Sequence, residues 1–137
     1  DRNTPAYRTR VRKTNWQSRA GALKYLKSRK LFEQFDSACL NDYIDYGMTQ
    51  DEGGYTLRFD ADIEYQIYRT LPHRFSGCFQ KLTVPTTLIY GEQSDIICAS
   101  DRRYMQKKHG IKTLKTAGTH LFPFEYPKAT AELILNS

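Results

Sequence analysis

Residues 84–95, VPTTLIYGEQSD, decide the fold of this 137-residue chain. They open with a β-rich run whose centre, residues 88–90, is continuously apolar, and Gly91 follows it. Such a run is typical of a strand buried on both faces, as the strands of a parallel sheet are. The stretch therefore predicts an interior strand followed by a polar loop that carries Asp95.

The residues after this loop continue the pattern of an α/β segment. A helix capped by Ser100 or Asp101 is expected to end at residues 107–110 (KKHG), with cations in the last turn and then glycine. Residues 111–115 predict a second strand, and Pro127 suits the first turn of a final helix. The order strand, helix, strand, helix implies two parallel strands joined by a crossover.

Residues 1–75 differ from this segment because their apolar side chains recur mostly at helical spacing. Residues 1–13 are polar and basic and are expected to form a linker. Thr14 or Asn15 is expected to cap a first helix whose apolar face includes Trp16.

Two aspartates mark the starts of further helices in the same region. Asp36 is expected to cap one that ends at Gly47, with the glycine in a left-handed conformation. Asp60 is expected to cap another, after a turn at residues 51–54 and a short strand at residues 55–59. The first half of the chain is therefore predicted to be mostly helical.

The composition, with 39% hydrophobic and 13% aromatic residues, indicates a globular domain with a core of its own. No stretch approaches the ~20 apolar residues of a membrane span, and no signal peptide opens the chain. The three cysteines are odd in number and lack a Cys-x-x-Cys pair, which favours a reduced cytoplasmic protein. A start at Asp1 rather than Met suggests a processed or truncated piece.

The positive charge is concentrated at the start of the chain. Residues 1–30 hold ten Lys and Arg against one acid, a net charge of +9, while the remaining residues carry 11 basic and 14 acidic side chains, or −3. The simplest interpretation is a solvated helical face, and the alternative is a surface that docks an acidic partner. No nucleic-acid-binding motif accompanies the charge, so neither nucleic acid nor membrane is an expected partner.

Two side chains suited to acid–base chemistry follow the two predicted strands. Asp95 follows the first, and His120 follows the second within residues 116–127, TAGTHLFPFEYP. Reactive groups in open α/β sheets gather beyond the carboxyl ends of the strands, so the pair is expected within hydrogen-bond reach. A carboxylate on one imidazole nitrogen prepares the other to accept a proton. A structural histidine and a metal ligand remain alternatives for His120, although no ligand spacing supports a metal.

A nucleophile for this pair is missing from the sequence. The chain has no G-x-S-x-G motif, and its seven serines lack the flanking glycines of a strained strand-to-helix turn. If the pair is catalytic, the nucleophile lies outside this chain.

At this point the sequence resembles a known family, the α/β-hydrolases. VPTTLIYGEQSD resembles their penultimate core strand with its acid loop, and GTHLFPFEYPKATAELI, residues 118–134, resembles their histidine loop and final helix. The resemblance implies an α/β fold that forms the C-terminal half of such an enzyme. Residues 1–75 then form a helical cap that ends at EYQIYRTLPH, and residues 76–137 form a β-α-β-α part of the parallel core sheet.

The resemblance also implies roles for individual residues, with Asp95 as the triad acid and His120 as the triad base. The acid loop is one residue longer than the usual Gly-x-x-Asp, so Glu92 remains a weaker candidate acid, and Thr119 separates the histidine from its usual glycine. Four aromatic side chains are candidates to line an acyl pocket: Trp16, Phe32, Phe35 and Phe122. For the first three, the alternative is a purely structural place in the core of the cap.

The function implied is hydrolysis of an ester, thioester or lactone bond in a small molecule with an apolar acyl group, without a cofactor. The chain alone is expected to be inactive and to need a complementary N-terminal half or self-association. One alternative is a non-catalytic binding module or degenerate family member. Another is an enzyme of the epoxide hydrolase or dehalogenase type with an aspartate nucleophile.

Overall fold

The computed structural model describes residues 5–70 and 82–137. They fall into two compact units, one within residues 1–74 and the other within residues 75–137. The sequence-predicted domain boundary at residues 75 and 76 and the end of the predicted cap at Pro72 and His73 lie outside the described residues. In the described part of the chain, every helix is too short or too polar to cross a membrane.

In its described residues, 5–70, the first unit contains four helices and a small antiparallel sheet. Its elements are α1 (Pro5–Val11), β1 (Asn15–Trp16), α2 (Arg19–Lys27), α3 (Ser37–Gly47), β2 (Met48–Asp51), β3 (Gly54–Leu57) and α4 (Ala61–Arg69). The strand order is β1-β3-β2, and β2 and β3 form a hairpin with Met48 opposite Leu57. Gly54 closes the turn with a φ of 115°, a conformation that disfavours any side chain.

A compact apolar core holds this unit together. It is built from six buried side chains contributed by α2, α3 and the strands: Trp16, Ala22, Leu26, Leu40, Ile44 and Met48. Burial of a large aliphatic side chain such as Leu40 contributes about 1.5–3 kcal/mol. The core thus gives the unit a closed hydrophobic interior.

Two of the predicted helix starts are confirmed. Asp36 accepts hydrogen bonds from the Ala38 and Cys39 amides, and Asp60 accepts them from the Asp62 and Ile63 amides. Both aspartates thereby satisfy amides that have no partner within the helix.

Two other predictions for this unit were wrong. Trp16 lies in β1, not in a helix, because its backbone pairs with Tyr55 of β3, and Ser18 caps α2 instead of Thr14 or Asn15. Gly47 does not adopt the left-handed conformation, because the chain passes directly from α3 into the extended backbone of Met48.

The basic start of the chain is also more ordered than predicted. Residues 5–11 form helix α1 and not a linker, and α1 packs against α4. Arg12 forms a bidentate ion pair with Glu64 and lies 4.9 Å over the ring of Phe59. Arg10 lies 3.9 Å from Asp62. Part of the concentrated positive charge is therefore paired with acids of α4.

The second unit has the predicted order of elements. It contains β4 (Thr87–Gly91), α5 (Ala99–His109), β5 (Lys112–Thr116), the short α6 (Phe122–Glu125) and α7 (Pro127–Leu135). β4 and β5 are parallel, with Thr87 opposite Lys112 and Gly91 opposite Thr116. Gly110 ends α5 with a φ of 67°, as the sequence predicts, although Cys98 occupies the cap position expected for Ser100 or Asp101.

Burial in the second unit is incomplete. The side chains of residues 87–90 are half-buried and not fully enclosed as the apolar run predicts. Among the described residues of this unit, only Gly91, Gly118 and Thr130 are buried. Within the same residues β4 and β5 pair only with each other, so one edge of each strand is open.

Candidate active site

The loops after β4 and β5 lie side by side at the carboxyl ends of the two parallel strands. The amide of Glu92 donates to Thr116 O at 2.8 Å, which extends the strand pairing by one bond. The amide of Gln93 then donates to Gly118 O at 3.0 Å. The first two residues of the acid loop are therefore bonded to the chain that leads into the histidine loop.

Gly91 permits this contact between the two loops. A Cβ at this position would lie 2.0 Å from Thr119 O and 2.4 Å from Gly118 O. No side chain fits at such distances, and both oxygens belong to the backbone and cannot swing away. A glycine is therefore required for the two loops to approach as closely as they do.

His120 and Asp95 meet above this edge of the sheet. The distance between His120 Nδ1 and Asp95 Oδ1 is 3.7 Å. The side chain of His120 is 41% exposed and that of Asp95 is 87% exposed. The sequence-predicted neighbours are thus brought together, at a distance longer than a hydrogen bond and open to solvent.

Glu92, the second candidate acid, is directed to another partner. Its Oε2 lies 3.5 Å from Nζ of Lys115 on β5, and both side chains are largely exposed. The geometry therefore favours Asp95 over Glu92 as the carboxylate that interacts with His120.

The far end of the acid loop is fixed at the start of α5. The amide and the thiol of Cys98 both donate to Asp101 Oδ2, each at 2.9 Å. These two hydrogen bonds, from the thiol first and then the amide, hold the pKa of Asp101 below its ordinary value of 3.8. Arg102 donates to Ile97 O at 2.8 Å and stacks 4.3 Å over the ring of Tyr90. The loop that carries Asp95 is thus anchored at both ends.

One carboxylate near His120, that of Glu125, was not predicted from the sequence to belong to the site. Glu125, on α6, accepts hydrogen bonds from both the amide and the hydroxyl of Thr119, the residue before His120. The signal in the sequence is a single charged residue within the apolar run LFPFEYP, residues 121–127. That position alone does not reveal its partner.

The four aromatic residues predicted to line an acyl pocket are divided between the two units. Phe122 is half-buried on α6, two residues after His120. Trp16 is 3% exposed in the core of the first unit, where Phe32 packs against Phe35 with ring centroids 5.2 Å apart. Trp16, Phe32 and Phe35 therefore contribute to the core of the first unit. Contact of any of the four aromatic residues with a substrate stays a prediction.

A metal site would need several suitable side chains close together. Over residues 5–70 and 82–137, no group of three or more His, Cys, Asp and Glu side chains is arranged to hold a metal ion.

Comparison with known proteins gives matches to solved structures only. No protein-family model and no curated protein matches the sequence. The structure of E-2-(acetamidomethylene)succinate hydrolase matches with a TM-score of 0.81 and 16% identity, over 96% of this chain and 49% of that one. A peroxisomal alpha-beta-hydrolase from Saccharomyces cerevisiae matches with a TM-score of 0.71 and 19% identity, over 96% of this chain and 37% of that one.

The thioesterase domain from the curacin biosynthetic pathway also matches, with a TM-score of 0.64 and 20% identity, over 94% of this chain and 46% of that one. This chain therefore spans about half or less of the length of the solved structures that it matches. At identities of 16–20%, such likeness establishes a shared fold and not a shared substrate.

Proposed function

Because the chain has the fold of about half of an α/β-hydrolase, we propose that it supplies the acid and the base of a hydrolase whose nucleophile lies outside these 137 residues. The observation that carries the proposal is the 3.7 Å approach of His120 Nδ1 to Asp95 Oδ1 beyond two parallel strands. The bond cleaved is an ester, thioester or lactone. The chain corresponds to the C-terminal half of the enzyme, with residues 1–75 as its cap.

The proposed chemistry follows from the orientation of the imidazole. With Nδ1 directed to Asp95, Nε2 is left to accept a proton from the nucleophile as it attacks the carbonyl carbon. The carboxylate stabilises the imidazolium, which then gives the proton to the leaving group. A water activated in the same way by Nε2 releases the acyl group and regenerates the nucleophile.

The length of the Asp95–His120 contact is compatible with this role. Catalytic hydrogen bonds are often long in the absence of substrate and tighten in the complex. Asp95 is highly exposed, so a substrate or covering segment that excludes water would strengthen its interaction with His120.

The open second unit supports the proposal that another polypeptide segment completes the site. A sheet of two strands with half-buried apolar residues is marginal alone, and its open edges can pair with further strands. The complementary N-terminal half of the same protein is the proposed occupant, and a second copy of the chain is the alternative. The aromatic residues Trp16, Phe32, Phe35 and Phe122 are proposed to line the acyl pocket of the complete enzyme.

The proposal is tested on the protein encoded by the complete reading frame. A fluorophosphonate probe should label one nucleophilic residue outside residues 1–137, located by mass spectrometry, and a panel of esters, thioesters and lactones should identify the bond cleaved. If the probe does not label the protein, and epoxides or haloalkanes instead form an alkyl-enzyme ester on an aspartate, the epoxide hydrolase or dehalogenase alternative is favoured. Absence of both activities, with salt-sensitive binding of an acidic partner, would indicate the binding module.

The two candidate acids are distinguished in the same assay. Asp95→Asn should lower kcat by about 10²–10⁴-fold, because the amide cannot stabilise the imidazolium. Glu92→Gln is the matched control and should leave kcat unchanged, because the carboxylate of Glu92 is directed to Lys115. The opposite result would reassign the acid to Glu92.

A further inference from the structure

Glu125 makes a two-point contact with the residue that precedes His120. The amide of Thr119 donates to Oε2 at 2.8 Å, and the hydroxyl of Thr119 donates to Oε1. The same hydroxyl oxygen accepts a hydrogen bond from the amide of Leu121 at 3.0 Å. The backbone and the side chain of Thr119 are thereby held by Glu125, and its hydroxyl also holds the amide of Leu121, the residue that follows His120.

The neighbouring glycine makes room for this carboxylate. Gly118 has a φ of 96°, and a Cβ there would lie 2.4 Å from Glu125 Oε2 and 3.1 Å from Phe122 Cβ. The backbone of residue 118 and the carboxylate therefore occupy adjoining space that no other residue type leaves free. The turn and the carboxylate fit each other.

The fixed segment is also the one that contacts the acid loop. Gly118 O accepts the amide of Gln93, and Thr119 O is the atom nearest to the space above Gly91. A continuous chain of contacts thus leads from Glu125 through Thr119 to the base of the loop that carries Asp95. The contacts identified for Glu125 are with Thr119 and the turn, not with the imidazole.

We propose that Glu125 is a positioning residue for His120, acting through Thr119. This inference rests on the proposed hydrolytic function. It adds that Glu125 determines the position from which the His120 imidazole contacts Asp95. A residue that orients the base without touching the substrate affects kcat and leaves KM unchanged.

The kinetic test uses a double-mutant cycle in the complete protein. Glu125→Ala and Thr119→Val should each lower kcat about 10–100-fold with KM unchanged, because small displacements of a catalytic group are costly. The double variant should lose much less than the product of the two single losses, since both substitutions remove the bond between the Thr119 hydroxyl and the Glu125 carboxylate. Thr119→Ser keeps the hydroxyl and should restore kcat, and Glu132→Ala, an exposed carboxylate of α7, is the matched control.

A structural measurement keeps this inference separate from the proposed function. In crystals of the complete Glu125→Ala protein, residues 118–120 should shift and the distance from His120 Nδ1 to Asp95 Oδ1 should increase. An unchanged loop, or wild-type kcat in Glu125→Ala, overturns the role of Glu125. If His120→Ala retains full hydrolysis, the proposed function fails, and the position of the loop still decides whether Glu125 orients His120.

Discussion

The unit within residues 1–74 buries six apolar side chains, whereas the unit within residues 75–137 buries only two glycines and a threonine among its described residues. The first unit closes a core with side chains from α2, α3, β1 and β2. The second holds two short parallel strands together and places polar side chains beyond their ends. Substitutions in the first unit should therefore alter mainly stability, and substitutions at the strand ends of the second should alter mainly catalysis.

The largest expected effect lies in the second unit, at His120. In the complete protein, His120→Ala should reduce kcat by about 10³–10⁴-fold, because the proposed general base is lost. The free energy of unfolding should hardly change, because the side chain is 41% exposed. Steady-state kinetics and urea unfolding measure the two quantities. The matched control is His109→Gln at the end of α5. An equal loss of kcat in the control would contradict a specific role of His120 in catalysis.

The next effect lies in the core of the first unit. Leu40 is 1% exposed, and Leu40→Ala should lower the free energy of unfolding by about 2–5 kcal/mol, through lost burial and the cavity that remains. Leu135→Ala, at a residue 84% exposed on α7, should change it by no more than about 0.5 kcal/mol. Equal losses in urea unfolding would show that the second unit also contributes a closed core.

Two glycines, one in each unit, sharpen the comparison further. Gly91→Ala places a methyl group against the backbone of residues 118 and 119 and should cost about 1–3 kcal/mol, with a fall in kcat as the loops separate. Gly47→Ala is the control, because beyond its chain neighbours and its own helix no described atom lies within 4 Å of its Cβ position, and its φ is not positive. Thermal unfolding in which Gly91→Ala is as stable as Gly47→Ala would contradict the close approach of the two loops.

The smallest effect concerns a surface ion pair of the first unit. Arg19 donates to both carboxylate oxygens of Asp45, at 2.7 and 2.9 Å, and these hydrogen bonds lower the pKa of Asp45 from 3.8. A lowered folded-state pKa stabilises the fold above pH 3.8, and the contribution disappears as the pH falls through the lowered value. Asp45→Asn should therefore be slightly less stable than wild type at pH 7 and equal to it in strong acid.

Urea unfolding across this pH range, with Asp42→Asn as the control on the same helix, measures the difference. High salt should reduce it because both partners are exposed. A difference between wild type and Asp45→Asn that grows as the pH falls would contradict the assignment.

The parts of the fold that the sequence predicts are those determined by near neighbours. The caps at Asp36 and Asp60 and the left-handed Gly110 depend on residues within one turn. The approach of Asp95 and His120 could also be anticipated, because parallel strands present their carboxyl ends at the same edge.

The features that the sequence does not reveal depend on distant partners. Helix α1 packs against α4, and Arg12, the residue after α1, pairs with Glu64, which lies 52 residues further along the chain. Trp16 becomes part of a strand because Tyr55 pairs with it. In each case a tertiary contact overrides the local preference.

The bonds at the start of the acid loop restrict where that loop can vary in length. Glu92 and Gln93 are bonded to Thr116 and Gly118, so an inserted residue before them would break the register between the two loops. An insertion between Ser94 and Cys98 would leave these two bonds intact, so we expect the sheet to tolerate it better. Added length in this loop is therefore expected after Gln93, where it leaves the pairing of the two strands intact.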